Sequence, residues 1–134
     1  EVNWTMELLP TGKKNNTNVS YDDQQKINKF WMLIMRKDTL EQELLQQRQE
    51  KEYLDDAALE IELIDEDEFI KYKVGMIFLH LKQSEVVEQL EKDMELVDSV
   101  IDELENEENA VDSQIKDLKT SLYAKFGDNI NLER

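Results

Sequence analysis

Residues 87–122, VEQLEKDMELVDSVIDELENEENAVDSQIKDLKTSL, decide the fold of this chain. Alternating steps of three and four residues connect Val87, Leu90, Met94, Val97, Ile101, Leu104, Glu108, Val111, Ile115, Leu118 and Leu122, and only Glu108 is not apolar. A seam this narrow is typical of a helix that lies along another helix, because the broader apolar face of a helix in a globular core is missing. We therefore predict a coiled-coil helix, which needs a partner to bury its seam.

The composition favours long helices over a deep globular core. Of the 134 residues, 36% are charged and 40% are hydrophobic, and there are 3 glycines and 1 proline. Since glycine and proline are the main helix breakers, their scarcity fits long, uninterrupted helices. The formal net charge of -16 would repel nucleic acid and anionic lipid, so neither nucleic acid nor a membrane is expected as a partner.

Cysteine usage and the lack of long apolar stretches bear on the compartment. A chain without cysteine has no disulfides and no thiolate chemistry, which fits a reducing environment. No run of about 18 apolar residues occurs, and the N-terminus has no signal-peptide pattern. We expect a cytoplasmic protein whose natural start is Met6, with the residues before it an addition.

A second, less regular helix is predicted over residues 21–64, after a flexible N-terminal tail at residues 1–20. Ser20 and Asp23 have the spacing of a capping box, which starts a helix. Apolar residues recur along this helix at heptad-compatible spacings, namely Ile27, Phe30, Ile34, Leu40, Leu44, Leu54, Ala58 and Ile61. Three basic residues fall on or near this seam and weaken the match, namely Lys37, Arg48 and Lys51.

Residues 69–82 have the pattern of a β-hairpin. Ile70, Tyr72 and Val74 alternate with lysines, which is the period of a half-buried strand. Gly75 then allows a turn before a second run that is apolar on both faces.

The heptad helix is predicted over residues 85–126. Ser84 is a suitable N-cap, and Gly127 stands where a left-handed C-cap residue is expected, before a tail at residues 127–134. The predicted fold class is mainly α, an antiparallel two-helix coiled coil with a β-hairpin inserted between the helices. Both helices and the hairpin form one domain, residues 21–126.

The two helices are of nearly equal length, so each is the most accessible partner for the seam of the other. In an antiparallel pair of equal arms, the numbers of facing residues add up to about 148. Leu44 would then face Leu104. Glu41 would lie near Glu108, which places two like charges together midway along the pair.

The hairpin predicts oligomerisation. A two-stranded hairpin is marginally stable in water, and both of its edges would be open. Its second strand would also leave apolar side chains uncovered, so we expect pairing with hairpins of other subunits. The residues assigned to this assembly are Ile70, Tyr72, Val74, Ile77, Phe78 and Leu79.

Three stretches resemble the β-type subunits of the prefoldin family. Residues 22–30, DDQQKINKF, are similar to the start of the first helix in that family. Residues 72–75, YKVG, lie where the family has its hairpin, and residues 122–133, LYAKFGDNINLE, are similar to the C-terminal signature of one particular subunit type. Met76 departs from the family, which usually has an acidic residue after the hairpin glycine.

The resemblance implies a subunit of a hetero-hexamer with two α-type and four β-type chains. In that assembly the hairpins form a double β-barrel platform, from which six coiled coils project. Prefoldin captures unfolded actin and tubulin at the distal tips and passes them to the cytosolic chaperonin without ATP. The expected partners are therefore α- and β-type prefoldin subunits, that chaperonin, and unfolded actin and tubulin, with no cofactor and no enzymatic activity.

Both chain ends would meet at the tip, where apolar residues are candidates for client binding. The predicted tip residues are Phe30, Trp31, Tyr123, Phe126, Ile130 and Leu132. As exposed groups they would hold unfolded chains through non-directional burial. For Phe30 and Leu122 the alternative is that they only complete the coiled-coil core. Trp31 and Met32 stand where the family tends to be polar, and a contact with client or with a neighbouring chain is open for both.

The remaining candidates have simpler explanations. The acidic runs 60–68 and 102–108 would attract basic partners, although such runs are more often solvated helix faces and linkers. Residues 65–68 lack the spacing and central glycine of a calcium loop. His80 has no nearby nucleophile or ligand set, so no catalytic, cofactor-binding or metal site is predicted. The alternative function is a structural coiled-coil adaptor that tethers native partners.

Overall fold

The computed structural model describes residues 19–133, so nearly all of the predicted N-terminal tail lies outside the described residues. In chain order the elements are helix α1 (Tyr21–Ile61), strand β1 (Phe69–Val74), strand β2 (Ile77–Lys82), helix α2 (Gln83–Phe126) and a 3-10 helix (Gly127–Asn129). The two strands pair antiparallel. The predicted fold class, two long helices with a β-hairpin between them, is confirmed.

Helix α1 begins where Ser20 and Asp23 cap each other. The backbone N–H of Ser20 donates to the Asp23 carboxylate at 3.1 Å, and the backbone N–H of Asp23 donates to the Ser20 hydroxyl at 3.1 Å. Both N–H groups would otherwise lack a partner at the helix start, so the predicted capping box is confirmed. The helix ends at Ile61 rather than at Ile64, whose N–H closes a turn onto the Ile61 carbonyl at 3.1 Å.

Helix α2 starts at Gln83, directly after β2, and the predicted N-cap at Ser84 is wrong. The backbone N–H of Gln83 donates to the Glu68 carbonyl at 2.9 Å. Its side-chain amide donates to the Ile61 carbonyl at 3.1 Å. Because the chain passes from strand to helix without a break, carbonyls of the preceding linker accept from the first backbone N–H groups of the helix, which have no partner within it.

The described chain divides into two compact units. The hairpin unit consists of residues 42–105, and the terminal unit consists of residues 19–41 together with residues 106–133. Each unit contains part of both helices and buries apolar side chains of its own.

The core of the hairpin unit joins the two helices to the hairpin. Its buried residues are Leu44, Leu54, Val86, Leu90, Val97 and Ile101. Partly buried residues packed against them are Ala57, Ala58, Ile61, Met94 and Leu104 from the helices, and Ile70, Tyr72 and Leu81 from the hairpin. Val86 is fully buried although the heptad pattern assigns the seam to its neighbour Val87. The hairpin explains this difference, because it widens the apolar surface at the start of α2.

Basic residues of α1 pair with acidic residues of α2 in both units. The ion pairs are Arg36–Glu107 and Lys37–Asp112 in the terminal unit, and Arg48–Glu105 and Lys51–Asp98 in the hairpin unit. The ammonium groups of Lys37 and Lys51 each lie 2.7 Å from their carboxylate, and this hydrogen bond raises the pKa of either lysine. The numbers of paired residues add up to values centred on the predicted sum of about 148, so the antiparallel register is confirmed within each unit.

Gly75 and Met76 form the turn of the hairpin. All residues of β1 pair with residues of β2, and the last pair before the turn is Val74 with Ile77. Gly75 has a φ of +59°, whereas the φ of Met76 is not positive. This is the pattern of a type II′ turn, which needs glycine at the first central position and accepts other residues at the second.

Glu108 is the predicted weak point of the α2 seam, and it is half-buried. It lies near Lys37, whose pKa its charge helps to raise. Replacing it in Glu108→Leu should raise the melting temperature by about 2–4 °C, because partial burial of a leucine contributes about 1 kcal/mol and outweighs the loss of the solvent-screened attraction to Lys37. Thermal unfolding followed by circular dichroism measures the effect. Asn109→Leu, at the exposed neighbouring position, is the control, and an equal rise in both variants would contradict the seam assignment.

Candidate functional site

The hairpin has an inner face on the helices and an outer face away from them. Alternation along the paired strands places Ile70, Tyr72, Ile77, Leu79 and Leu81 on the inner face. It places Phe69, Lys71, Lys73, Phe78 and His80 on the outer face. On the outer face the Lys71 ammonium lies 4.4 Å from the centre of the Phe78 ring, within cation–π range.

Tyr72 fastens the inner face to α2. Its hydroxyl donates to Asp93 Oδ2 at 2.8 Å, and Gln89 Nε2 donates to Asp93 Oδ1 at 2.9 Å. Burial, followed by the bond to Asp93, raises the pKa of Tyr72 to about 12, so the hydroxyl remains a neutral donor at physiological pH. Ile70 and Tyr72 are thus engaged within their own chain, and their role in assembly stays a prediction.

The part of the hairpin nearest the turn leaves apolar side chains in solvent. Ile77, with 65% of its surface exposed, Phe78 and Leu79 are uncovered, as the sequence predicts for β2. At the opposite end of the hairpin Phe69 is also exposed, which was not predicted. We call these four exposed side chains the hairpin patch, with Ile77 and Leu79 on the inner face and Phe69 and Phe78 on the outer face. Val74, the remaining predicted assembly residue, lies in β1 opposite Ile77.

The terminal unit brings the predicted tip residues together and buries them. Those that are buried are Phe30, Trp31, Phe126, Ile130 and Leu132, while Tyr123 is half-buried. The rings of Phe30 and Trp31 pack edge to face with centres 5.0 Å apart, and Trp31 keeps only 6% of its surface exposed. The expectation of an exposed apolar surface at these positions is therefore wrong. Leu122 and Phe30 complete the helix core, as the alternative stated, and client binding by the set stays a prediction.

The course of the chain after Gly127 explains this burial. Gly127 has a φ of +54° and ends α2 as predicted. The backbone N–H of Leu132 then donates to the Tyr123 hydroxyl at 3.2 Å. The Glu133 carboxylate accepts from the Lys119 ammonium at 2.9 Å, which lowers the pKa of Glu133. The chain thus turns back beside the last turns of α2 instead of projecting from them.

Three apolar side chains of α1 in the terminal unit are exposed. They are Tyr21, Met32 and Met35, and the two methionines expose 68% and 56% of their surface. Met35 was missed because it lies off the seam, although its spacing of three residues from Met32 places both on one side of the helix. Methionine is flexible and polarisable, so it adapts to varied apolar surfaces.

Asp23 joins the start of α1 to the end of α2. Its carboxylate accepts hydrogen bonds from the Lys125 ammonium and from the backbone N–H of Ser20. These bonds, the one from Lys125 first, lower the pKa of Asp23 from 3.8 to about 2. Because the pKa is lower in the folded chain, the stabilisation is complete above about pH 4 and is lost as the pH falls through about 2.

Asp23→Asn should lower the melting temperature at neutral pH and should weaken its dependence on pH between about 4 and 2. Melting curves of the full chain across this range measure both effects. Asp22→Asn, at the exposed neighbouring position, should keep the pH dependence of the unchanged chain. Identical acid profiles for all three chains would exclude the link between Asp23 and Lys125 as a source of stability.

The acidic runs and His80, the remaining candidates from the sequence, gain no support as functional sites from the described residues. Glu105 and Glu107 of the second acidic run pair with arginines of α1, and the acidic side chains of residues 60–68 are exposed, as in a solvated linker. His80 is exposed on the outer face. Within residues 19–133 no three His, Asp or Glu side chains are grouped to hold a metal ion. No helix in that part of the chain is long and apolar enough to cross a membrane.

Comparison with known proteins adds relatives over nearly the whole chain. A family model described as "Prefoldin subunit" matches residues 24–129. Prefoldin subunit 4 of Saccharomyces cerevisiae is 63% identical over 129 residues, which are 96% of this chain and 100% of that protein. Prefoldin subunit 4 of Homo sapiens is 40% identical over 119 residues, which are 88% of this chain and 89% of that protein. Both are subunit 4 proteins, in agreement with the signature in residues 122–133.

A solved structure gives independent support for the fold. The crystal structure of the prefoldin beta subunit from Thermococcus strain KS-1 superposes with a TM-score of 0.73, covering 83% of this chain and 97% of that one. The sequences are only 17% identical, so this match bears on the fold alone.

Proposed function

The chain belongs to the prefoldin subunit family, and from this membership we propose that it is one subunit of a hetero-hexameric holdase. In this proposal it assembles with α-type and β-type prefoldin subunits in the cytoplasm. The complex captures unfolded actin and tubulin and delivers them to the cytosolic chaperonin without ATP. Prefoldin subunits are chaperone components rather than enzymes.

The observation that carries the proposal is the hairpin patch. A two-stranded sheet with open edges is marginal in water, and this one exposes four large apolar side chains. Additional strands from other subunits would satisfy the edges and cover the patch. The inner face is fastened by Tyr72, so the hairpin is held in place before any partner arrives.

Capture of non-native proteins is supported by the accessible apolar groups of the terminal unit. Met32 and Met35 offer adaptable side chains on the outside of α1. The net charge of -16 keeps a chain with such exposed apolar groups in solution, because chains of like charge repel each other. Weak, non-directional contacts are what a holdase needs, since its clients share no sequence.

Light scattering of the chain alone, and mixed with α-type and other β-type subunits, tests the assembly. We expect a hexameric mass only in the mixture. A stable homodimer formed by the chain alone, unchanged on mixing, would contradict the proposal. Dilution of denatured actin into the complex then tests capture, and turbidity should fall relative to a mixture that lacks this chain.

The adaptor function remains the second candidate, and the burial of the predicted tip residues favours it. With Trp31 and Phe126 in a core, the terminal unit has less apolar surface for client than the sequence implies. Binding of native and of denatured actin to the complex discriminates the two functions. A holdase binds only the denatured form, whereas a tether would bind a native partner and leave turbidity unchanged.

A further inference from the structure

The C-terminal segment, residues 127–133, has the form of a short extended client. Beyond its 3-10 helix, Ile130 has extended backbone angles, with φ -134° and ψ 144°. Ile130 and Leu132 are buried, Leu132 to 2% exposure, and they alternate with the exposed Asn131 and Glu133. Unfolded proteins present the same pattern wherever two apolar residues stand two positions apart in an extended backbone.

Polar contacts hold the end of this segment to α2. One is the hydrogen bond from the Leu132 N–H to the Tyr123 hydroxyl, and another is the ion pair of Glu133 with Lys119. A neutral hydrogen bond has a modest net effect, and an exposed ion pair has a small one. The buried side chains of Ile130 and Leu132 add apolar docking to these contacts, and another apolar pair would provide the same burial.

Leu132 and Glu133 at the end of the segment line a groove that is larger than the part they fill. A volume of about 410 Å³ remains open beside it. The walls are Ile34, Lys37, Asp38 and Glu41 of α1, Lys119 of α2, and Leu132 and Glu133 of the segment itself. This volume falls in the range of sites that hold small ligands, and the walls carry charges of both signs. Such walls tolerate polar side chains of either sign next to the apolar ones.

We propose that this groove binds extended segments of non-native protein with apolar side chains two residues apart, and that the C-terminal segment is its internal competitor. The inference rests on the proposed holdase function and states how access to one of its binding sites is controlled.

The covalent attachment of the segment to the chain decides which proteins can displace it. Because the segment is attached to the chain, its effective concentration at the groove is high, on the order of millimolar for a short linker. A protein with one exposed apolar stretch does not displace it. A long unfolded chain presents many stretches to a complex with several subunits, and their combined binding displaces it. The segment therefore keeps its docked position whenever no unfolded client is present.

Displacement can be measured with a peptide that copies the segment. The probe is a fluorescently labelled peptide of residues 127–133, GDNINLE, and its anisotropy reports binding to the full chain. Ile130→Ser with Leu132→Ser should bind the peptide on the order of tenfold more tightly or better, because its own segment no longer competes. Asn131→Ser, an exposed position of the same segment, should bind it like the unchanged chain.

The groove side of the same contact gives a second test. In the Ile130→Ser, Leu132→Ser background, Tyr123→Phe should weaken peptide binding by about two- to tenfold, because the peptide loses the hydroxyl that accepts its backbone N–H.

A cross-link that holds the segment in place gives the opposite test. In the variant Lys119→Cys with Glu133→Cys, a short bismaleimide can join the two thiols, since the chain has no other cysteine. The joined chain should bind the peptide at least about tenfold more weakly than before joining. This variant keeps both apolar residues, so it decides the question even if the serine variant fails to fold.

Competition with client completes the experiment. The peptide should displace denatured actin from a complex that contains the serine variant. Equal peptide affinities of the unchanged, serine and joined chains would overturn the inference. Tight peptide binding without displacement of actin would also overturn it, while the proposed function would stand if the complex still suppresses turbidity. If the unchanged complex fails to suppress turbidity, the proposed function itself fails, whatever the peptide binds.

Discussion

Ile77→Lys combined with Leu79→Lys should leave the chain monomeric in a mixture with its partner subunits. Both residues lie on the inner face of the hairpin and are exposed in the single chain. Covering these two partly exposed side chains in a shared sheet contributes about 1.5–3 kcal/mol in total. Lysine removes this gain and adds the cost of desolvating a charge, so assembly should weaken by at least about a hundredfold.

Sedimentation or light scattering of the mixture measures this loss, and circular dichroism of the variant should show unchanged helix content. Met76→Lys in the turn is the matched control, because it adds a charge to the same hairpin outside the hairpin patch. We expect it to assemble. Hexamers formed by the double lysine variant would show that the hairpin patch is not the interface.

Phe30→Ala should destabilise the chain by about 3–5 kcal/mol, the largest effect that we expect from a single substitution. The side chain is completely buried and packs edge to face on Trp31. Truncation therefore leaves a cavity and removes an aromatic pair. Urea unfolding of the full chain measures the change in the free energy of unfolding.

Met32→Ala is the control for Phe30→Ala, two positions away on the same helix. Since Met32 is mostly exposed, its free energy of unfolding should change by no more than about 0.5 kcal/mol. Its effect should appear instead in the suppression of actin turbidity, which should fall. A Phe30→Ala chain that keeps its stability but loses capture would reverse these assignments and place Phe30 on the client surface.

The features that the sequence predicts well are those that neighbouring residues determine. The capping box needs only Ser20 and Asp23, and the turn needs only Gly75, because each acts within a few residues. The α2 seam is equally local, since every heptad repeats the same spacing. The register followed from arm length alone, and the ion pairs between the helices agree with it.

The features that the sequence predicts poorly depend on contacts between distant residues. Gln83 starts α2 through carbonyls of residues that lie far back in the chain, which no cap pattern encodes. Lys37 and Lys51 look like interruptions of a seam until their acidic partners on α2 are known.

The burial of Trp31 and of the chain end was missed for the same reason. The residues beyond Gly127 are predicted as a tail, and the apolar side chains of a tail are expected in solvent. Ile130 and Leu132 do carry a local signal, the alternation of an extended strand. That signal indicates an extended conformation but does not indicate which surface the strand will cover.

The ion pairs between α1 and α2 also favour one pairing of helices over another. Acidic side chains far outnumber basic ones along α2, so two copies of α2 side by side would mostly oppose like charges. Arg36 and Arg48 of α1 offset acidic residues of α2 in the antiparallel register seen here. Pairing of α2 with α1 of the same chain therefore meets less like-charge repulsion than pairing of α2 with a second copy of itself.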